Sequence, residues 1–211
     1  ETIKFYKNLE ITVWGTIKKE WMLRNKNLGT NSLEIEVPTV NISKCYKKYG
    51  IPHYLKVDIE GADLICLEAL LEFKDKPNYI SIESEKVNYN NIVKEFKIFE
   101  ELGDSKFQII NQQRINRLKE RQNTNEGKFL NYKFKIGSSG PFGDDFETPW
   151  INKKNALLKY KLIFLMYKIW GDDSKIKNYL VVRIIEKIII RIVGFRIPGW
   201  YDTHAKKTVV Y

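Results

Sequence analysis

The sequence predicts an α/β fold, because short apolar runs alternate with segments of helical spacing. The runs at 53–57 and 79–83 have the length of buried strands, and a segment with helical spacing follows each of them. Parallel strands that are buried on both faces are apolar without interruption. We therefore predict a mostly parallel sheet with helices on both faces.

The residues before position 53 are predicted to form a hairpin, an edge strand and a short helix. The segments IKFYKN and LEITVWG are rich in β-branched and aromatic residues and predict a hairpin, followed by a polar loop over 24–31. The alternating segment LEIEVPTVNI predicts another strand, and Pro38 indicates that this strand lies at an edge or ends there. A short helix is predicted over 43–49, where Gly50 stops it.

From residue 53 onward the predicted order is strand, helix, strand, helix and strand. The helices are predicted over 61–71 and 91–102, and the last strand is the segment KFQIINQQ. Right-handed crossovers place the carboxyl ends of parallel strands at one edge of the sheet, and ligands bind at that edge. The acidic residues predicted at this edge are Asp58, Glu60, Glu83 and Glu85.

Composition narrows the classes of partner. The chain has 211 residues, 43% of them hydrophobic, and a formal net charge of +10. The basic excess favours anionic partners, but the lysines are scattered and no stacking-aromatic or zinc motif accompanies them, so no specific nucleic-acid partner is expected. Cys45 and Cys66 match no metal spacing, which favours free thiols in a reducing compartment and a cytoplasmic location.

One stretch resembles a known family. The string YLKVDIEGAD, followed by a helix and PNYISIE, resembles the FkbM-type methyltransferases, which are S-adenosylmethionine-dependent enzymes with a Rossmann-like class I methyltransferase sheet. The resemblance covers about residues 1–150, including VPTVNI, FQIINQQ and the loop GSSGPFGDD. The family's string K-I/V-D-x-E-G-x-E/D closes its fourth strand, and here it is carried by Lys56, Val57, Asp58, Glu60, Gly61 and Asp63.

The resemblance implies S-adenosylmethionine as the cofactor and residues 1–150 as a partial methyltransferase domain. The family holds the cofactor over a glycine-rich turn after its first strand and on an acid after its second, and neither is matched here. In the family layout, residues 2–6 are the third strand. We therefore expect this chain to be a fragment that lacks the first two strands and is inactive alone, and we assign no cofactor-binding residue.

Asp58 and Glu60 are the predicted catalytic residues. Methyl transfer to oxygen is helped by positioning the acceptor hydroxyl and by removing its proton. A carboxylate at the strand end could orient the acceptor, take that proton or hold a divalent cation. For Glu60 the alternative is a charge that stabilises the first turn of the following helix. The expected acceptor is a sugar or another small polar molecule.

Three further residues are predicted to bind substrate, each with a structural alternative. Glu83 ends the strand after Asp58, although it could instead pair with a surface lysine. Asn111 closes the next strand, where its amide could equally satisfy the local backbone. His53 precedes its strand and could be a half-buried loop residue.

Residues 151–211 are predicted to be a helical C-terminal extension. KLIFLMYKIW and VVRIIEKIIIRIVGF are apolar segments interrupted by charges, too broken to span a membrane. Two interpretations stay open for the second segment: it packs on the sheet or on a second copy of the chain, or it lies at a membrane surface. The first is favoured, with Ile188 and Ile189 facing protein. The closing GWYDTHAKK offers Trp200, Asp202 and His204, which are too few ligands for a metal.

Two other classes of function remain open at this stage. A non-catalytic Rossmann-like binding module would lack the glycine-rich turn even in its complete form. A basic membrane-surface protein would depend on the C-terminal helices for binding to lipid.

Overall fold

A computed structural model describes residues 1–59, 61–85, 88–171, 174–193 and 199–208, and these form a mixed α/β structure. The prediction of an α/β fold is confirmed. Within these described ranges, three short 3₁₀ helices lie at Thr12–Trp14, Gln112–Arg117 and Gly143–Asp145. The strands and α-helices are, in chain order, β1 (Thr2–Asn8), α1 (Lys19–Asn27), β2 (Ser32–Pro38), α2 (Ile42–Tyr49), β3 (Tyr54–Val57), α3 (Asp63–Leu70), β4 (Tyr79–Glu83), α4 (Tyr89–Glu101), β5 (Asp104–Asn111), α5 (Lys153–Trp170), α6 (Leu180–Val193) and β6 (Tyr201–Lys207).

The chain divides into two compact units. The first consists of Glu1–Pro52 and Val57–Lys76, and the second of His53–Lys56 and Pro77–Tyr211. The predicted division into 1–150 and 151–211 follows a different boundary and stays a prediction.

In the first unit, β1 pairs with β2 and not with the segment LEITVWG. The two strands are antiparallel, from Thr2 opposite Pro38 to Asn8 opposite Ser32. The predicted hairpin is wrong because Asn8 ends β1 in a turn: its Oδ1 accepts from the backbone N–H groups of Glu10 at 3.1 Å and Ile11 at 2.8 Å. The position of Pro38 at the end of β2 agrees with the prediction for that strand.

The polar stretch 24–31 is only partly a loop. Helix α1 includes its first four residues and ends at Asn27. Asn25 is buried in this helix and donates to the carbonyl oxygen of Trp14 at 3.1 Å, so a polar residue here serves the packing of the unit.

In the second unit, a four-stranded sheet has the order β3-β4-β6-β5. Strand β6 is antiparallel to both β4 and β5, so β4 and β5 run parallel to each other on either side of it. Strands β4 and β5 thus run in the same direction, as a mostly parallel sheet requires. Strand β6 is antiparallel to them, so the prediction of a helical C-terminal extension is wrong for residues 201–207. The strand was missed because it lacks an apolar run: Asp202, Thr203 and His204 are buried polar residues in its middle.

Aromatic side chains form the core between this sheet and two helices. Phe96 and Phe99 of α4 are fully buried, as the helical spacing predicts, and Phe96 lies 4.7 Å from Phe107 of β5 between ring centroids. Tyr160 of α5 closes the group with its ring 6.0 Å from that of Phe96. Helices α4 and α5 therefore cover the face of β5 that carries Phe107.

Candidate functional site

An ion pair joins the carboxyl end of β3 to β6. Nζ of Lys56 donates to Oδ2 of Asp202 at 2.6 Å, and the two side chains are 22% and 1% exposed. Tyr54 bonds to Ser81 of β4, whereas Lys56 bonds to Asp202, the cross-strand partner of Glu83. Strand β3 therefore runs in the same direction as β4, and Lys56 and Glu83 lie at the same edge of the sheet.

Two carboxylates oppose each other at this edge. Glu83 and Asp202 are directly paired in the antiparallel ladder, so both side chains project from the same face of the sheet. Burying Asp202 removes it from water, which costs several kcal/mol unless a cation and hydrogen bonds replace the lost hydration. Lys56 supplies a positive charge that compensates Asp202, and we call Lys56, Glu83 and Asp202 the edge cluster.

A buried chain of hydrogen bonds fixes the end of β4 on the helical side of the sheet. The Ser84 hydroxyl donates to Oε1 of Glu95 at 3.0 Å and has no second proton, so it accepts from Thr203 at 2.5 Å. Thr203 in turn accepts from the Tyr160 hydroxyl at 2.7 Å. Donation thus runs in one direction from Tyr160 to Glu95, and burial raises the pKa of Tyr160, which keeps the phenol protonated.

A second polar row crosses the sheet on the face of the edge cluster. Tyr54 contacts Oγ of Ser81 at 2.6 Å, Ser81 is paired with His204, and His204 is paired with Gln108. Among the described residues, Nε2 of His204 and Oε1 of Gln108 are buried without a hydrogen-bond partner. Burial and the nearby positive charge of Lys56 lower the pKa of His204 to about 3, so its ring is neutral near pH 7.

The predicted catalytic residue Asp58 directly follows β3 and is exposed. The turn after it is set by Asp63, whose carboxylate accepts from the backbone N–H groups of Ile59 at 2.9 Å and Gly61 at 3.0 Å. Gly61 has φ +116°, a conformation that residues with a side chain rarely adopt. The family motif therefore contains its own turn, which holds the backbone beside Asp58. Glu60 lies outside the described residues.

The structure separates the three predicted substrate-binding residues. Glu83 and Asn111 end β4 and β5 at the edge of the cluster, but Asn111 also caps a 3₁₀ helix, where its Oδ1 accepts from the backbone N–H of Gln113 at 3.0 Å. This is the structural alternative that the sequence left open. His53 precedes β3 and therefore lies at the opposite edge of the sheet.

His53 is held in place by two polar partners. Its Nδ1 lies 2.9 Å from the amide nitrogen of Asn78, which can only donate, so Nε2 carries the proton and donates to Glu126 at 2.9 Å. The ring also meets Tyr79 edge-on at 5.5 Å. These contacts hold His53 at the edge of the sheet opposite the edge cluster. Its predicted role in substrate binding stays a prediction.

The partner of Lys56 was not predicted from the sequence. Asp202 belongs to the segment GWYDTHAKK, to which no role was assigned, and it lies 146 positions further along the chain. The sequence pattern that indicates this strand is weak. Asp202 and His204 alternate with Thr203 and Ala205, and such a pattern fits a strand only when both faces of the strand are buried.

The fold and the edge cluster define a class of protein. The chain is an α/β protein with ionisable groups at the carboxyl edge of its larger sheet, the place where such sheets bind ligands. The family model described as the methyltransferase FkbM domain matches residues 1–110, just over half of the 211 residues. The chain belongs to this family, which confirms the resemblance. Comparisons with curated proteins and with solved structures gave no match.

Proposed function

We propose that this chain is part of an enzyme that transfers a methyl group from S-adenosylmethionine to a hydroxyl group of a sugar or another small polar acceptor. The observation that carries the proposal is Asp58, an exposed carboxylate at the end of β3 within the sequence motif of a methyltransferase family. Family membership supports methyl transfer, and the carboxylate supports oxygen as the acceptor atom.

The donor implied by the family is S-adenosylmethionine, whose sulfonium group supplies the methyl. A glycine-rich turn between a strand and a helix is the usual cradle for such a cofactor. In the described part of the chain, the connections from β1, β2, β3 and β4 to the next helix carry at most one glycine each, and the glycines at 127, 137, 140 and 143 follow β5, the last strand before α5. The described residues thus do not provide this cradle, and we assign none of them to the cofactor.

Asp58 can act on the acceptor side of the reaction. As the oxygen of an acceptor hydroxyl forms its bond to the methyl carbon, the hydroxyl proton must leave, and a positioned carboxylate can orient the hydroxyl and accept that proton. Asp63 serves the turn through its two backbone hydrogen bonds, so it is a positioning residue. In the second unit, the ion pair of Lys56 with Asp202 links β3 to β6.

Asp58→Asn in the intact protein tests this assignment. The change keeps the size of the side chain but removes its charge, so we expect turnover to fall about 10²-fold or more, measured as release of S-adenosylhomocysteine. The melting temperature should stay the same because exposed side chains contribute little to stability.

The matched control for this experiment is Asp75→Asn, which changes another exposed aspartate of the same unit. Its turnover should equal that of the wild type. If Asp58→Asn also turns over within about twofold of the wild type, Asp58 does not accept the proton, and the proposed role is wrong.

A further inference from the structure

Helix α6 exposes a continuous apolar face. Six of its side chains are between 43% and 78% exposed: Leu180, Val181, Ile184, Ile185, Ile188 and Ile192. At about 100° per residue, these positions fall within an arc of roughly 140° on one side of the helix. Isolated exposed apolar residues are ordinary, but a contiguous strip of six marks a surface for binding.

The opposite side of α6 already contacts the protein. Val182, Glu186, Ile189 and Ile190 are half-buried and lie on the side away from the exposed strip. Ile189 therefore faces protein as expected, whereas Ile188 is 53% exposed and belongs to the exposed strip. The apolar strip is thus additional to the face with which α6 packs on its own chain.

Basic residues form a row along one border of the strip. Arg183, Lys187 and Arg191 are exposed and follow each other at intervals of four residues, so they lie one above the other on the helix. The acidic residue of α6, Glu186, lies on the half-buried side. Long basic side chains in such a position can rest their methylene groups on an apolar layer while their charges reach anionic groups.

The segment before the helix has the same character. Tyr179 is 66% exposed immediately before α6, and Lys175 is also exposed. Tyrosine favours the boundary between an apolar phase and water, because its ring is apolar and its hydroxyl is polar. An exposed apolar strip, a basic border and a flanking tyrosine together match a helix that lies in the plane of a membrane surface.

From these observations we infer that α6 binds the surface of an anionic membrane, with its axis parallel to the surface and its apolar strip in the acyl boundary. Two copies of the chain joined through this strip would leave both basic rows without an opposite charge, whereas anionic headgroups neutralise them. In the part of the chain that the structure describes, no helix is long and apolar enough to cross a membrane. This inference is independent of the proposed methyl transfer.

The test is flotation of the intact protein with vesicles of phosphatidylcholine alone and with vesicles containing about 30% phosphatidylserine. We expect binding to the anionic vesicles that weakens as salt increases, because the basic row acts through a screened surface potential. Replacing Arg183, Lys187 and Arg191 with glutamine should lower the partition coefficient on anionic vesicles about 10²-fold and leave that on neutral vesicles unchanged.

The apolar strip is tested by Ile184→Ser with Ile188→Ser, which should abolish binding to both kinds of vesicle. Both side chains are exposed, so the fold should persist, as circular dichroism would show. The matched control is Leu33→Ser, an exposed leucine at 52% in the first unit, which should bind like the wild type.

Two results would overturn the inference. One is failure of the wild-type protein to float with anionic vesicles at low salt. The other is a dimer in analytical ultracentrifugation that the Ile184→Ser and Ile188→Ser variant loses, because a second copy of the chain would then occupy the strip.

Discussion

Lys56→Met is expected to lower the free energy of unfolding by about 3–5 kcal/mol, the usual cost of removing one partner of a buried ion pair. Asp202 is only 1% exposed, and its Oδ2 would lose a donor at 2.6 Å. Methionine nearly preserves the length and apolar stem of lysine, so the effect reports the lost charge and not a cavity. Urea unfolding at pH 7 measures it.

Two variants control for the substitution itself. Lys4→Met removes the same type of side chain from a pair with Glu34 at 2.6 Å whose side chains are 65% and 47% exposed, so it should change stability far less. Adding Asp202→Asn to Lys56→Met should restore much of the lost stability, because position 202 then carries no buried charge. Equal losses from Lys4→Met and Lys56→Met would contradict the structural role of the edge cluster.

Asp104→Asn is expected to stabilise the protein at pH 8 by on the order of 4 kcal/mol. Asp104 begins β5, is 2% exposed, and neither of its carboxylate oxygens has a hydrogen-bond partner among the described residues. Burial raises the pKa of Asp104 to about 7, against an opposing effect of the Lys207 charge. At pH 8 the native state therefore carries a buried, poorly solvated carboxylate.

The direction of the pH effect follows from the raised pKa. In the unfolded chain Asp104 titrates near its ordinary pKa of 3.8, so between about pH 4 and 7 the native state binds more protons than the unfolded state. The free energy of unfolding of the wild type therefore falls as pH rises through that window. Above pH 7 the full cost of burying the Asp104 charge is present. Asparagine carries no charge, so the two proteins should differ little at pH 4.

Urea unfolding of Asp104→Asn and the wild type at intervals from pH 4 to 8 checks this expectation. The exposed Asp75→Asn should show no comparable trend with pH. A stability difference between Asp104→Asn and the wild type that does not change with pH would show that Asp104 is not a charged, buried group above pH 7.

The elements with the strongest periodicity were predictable from the sequence. Strand β4 has the predicted bounds, and α4 begins two residues earlier than predicted and ends one residue earlier. Both are apolar segments whose environment is set by neighbours in the same unit, so local spacing is enough. The segment LEITVWG does not form the predicted strand despite its strand propensity. The Asn8 side chain accepts hydrogen bonds from the backbone N–H groups that follow it, which favours a turn over pairing between strands.

The remaining errors arise from contacts between distant parts of the chain. The middle of β6 is polar because Lys56 compensates Asp202 and Tyr160 bonds to Thr203, and neither partner is close in the sequence. The motif did place Asp58 at the end of β3 and Glu83 at the end of β4. The motif could not show that Lys56, which also belongs to it, forms an ion pair with Asp202 of the C-terminal strand.

The most direct test of the central claim is transfer of a tritiated methyl group from S-adenosylmethionine by the intact protein to a panel of sugars and other small hydroxyl compounds. The account predicts that label accumulates on an acceptor oxygen, with one equivalent of S-adenosylhomocysteine released for each methyl transferred. Label on nitrogen or carbon, or a folded protein that labels no compound of the panel and releases no S-adenosylhomocysteine, would contradict it.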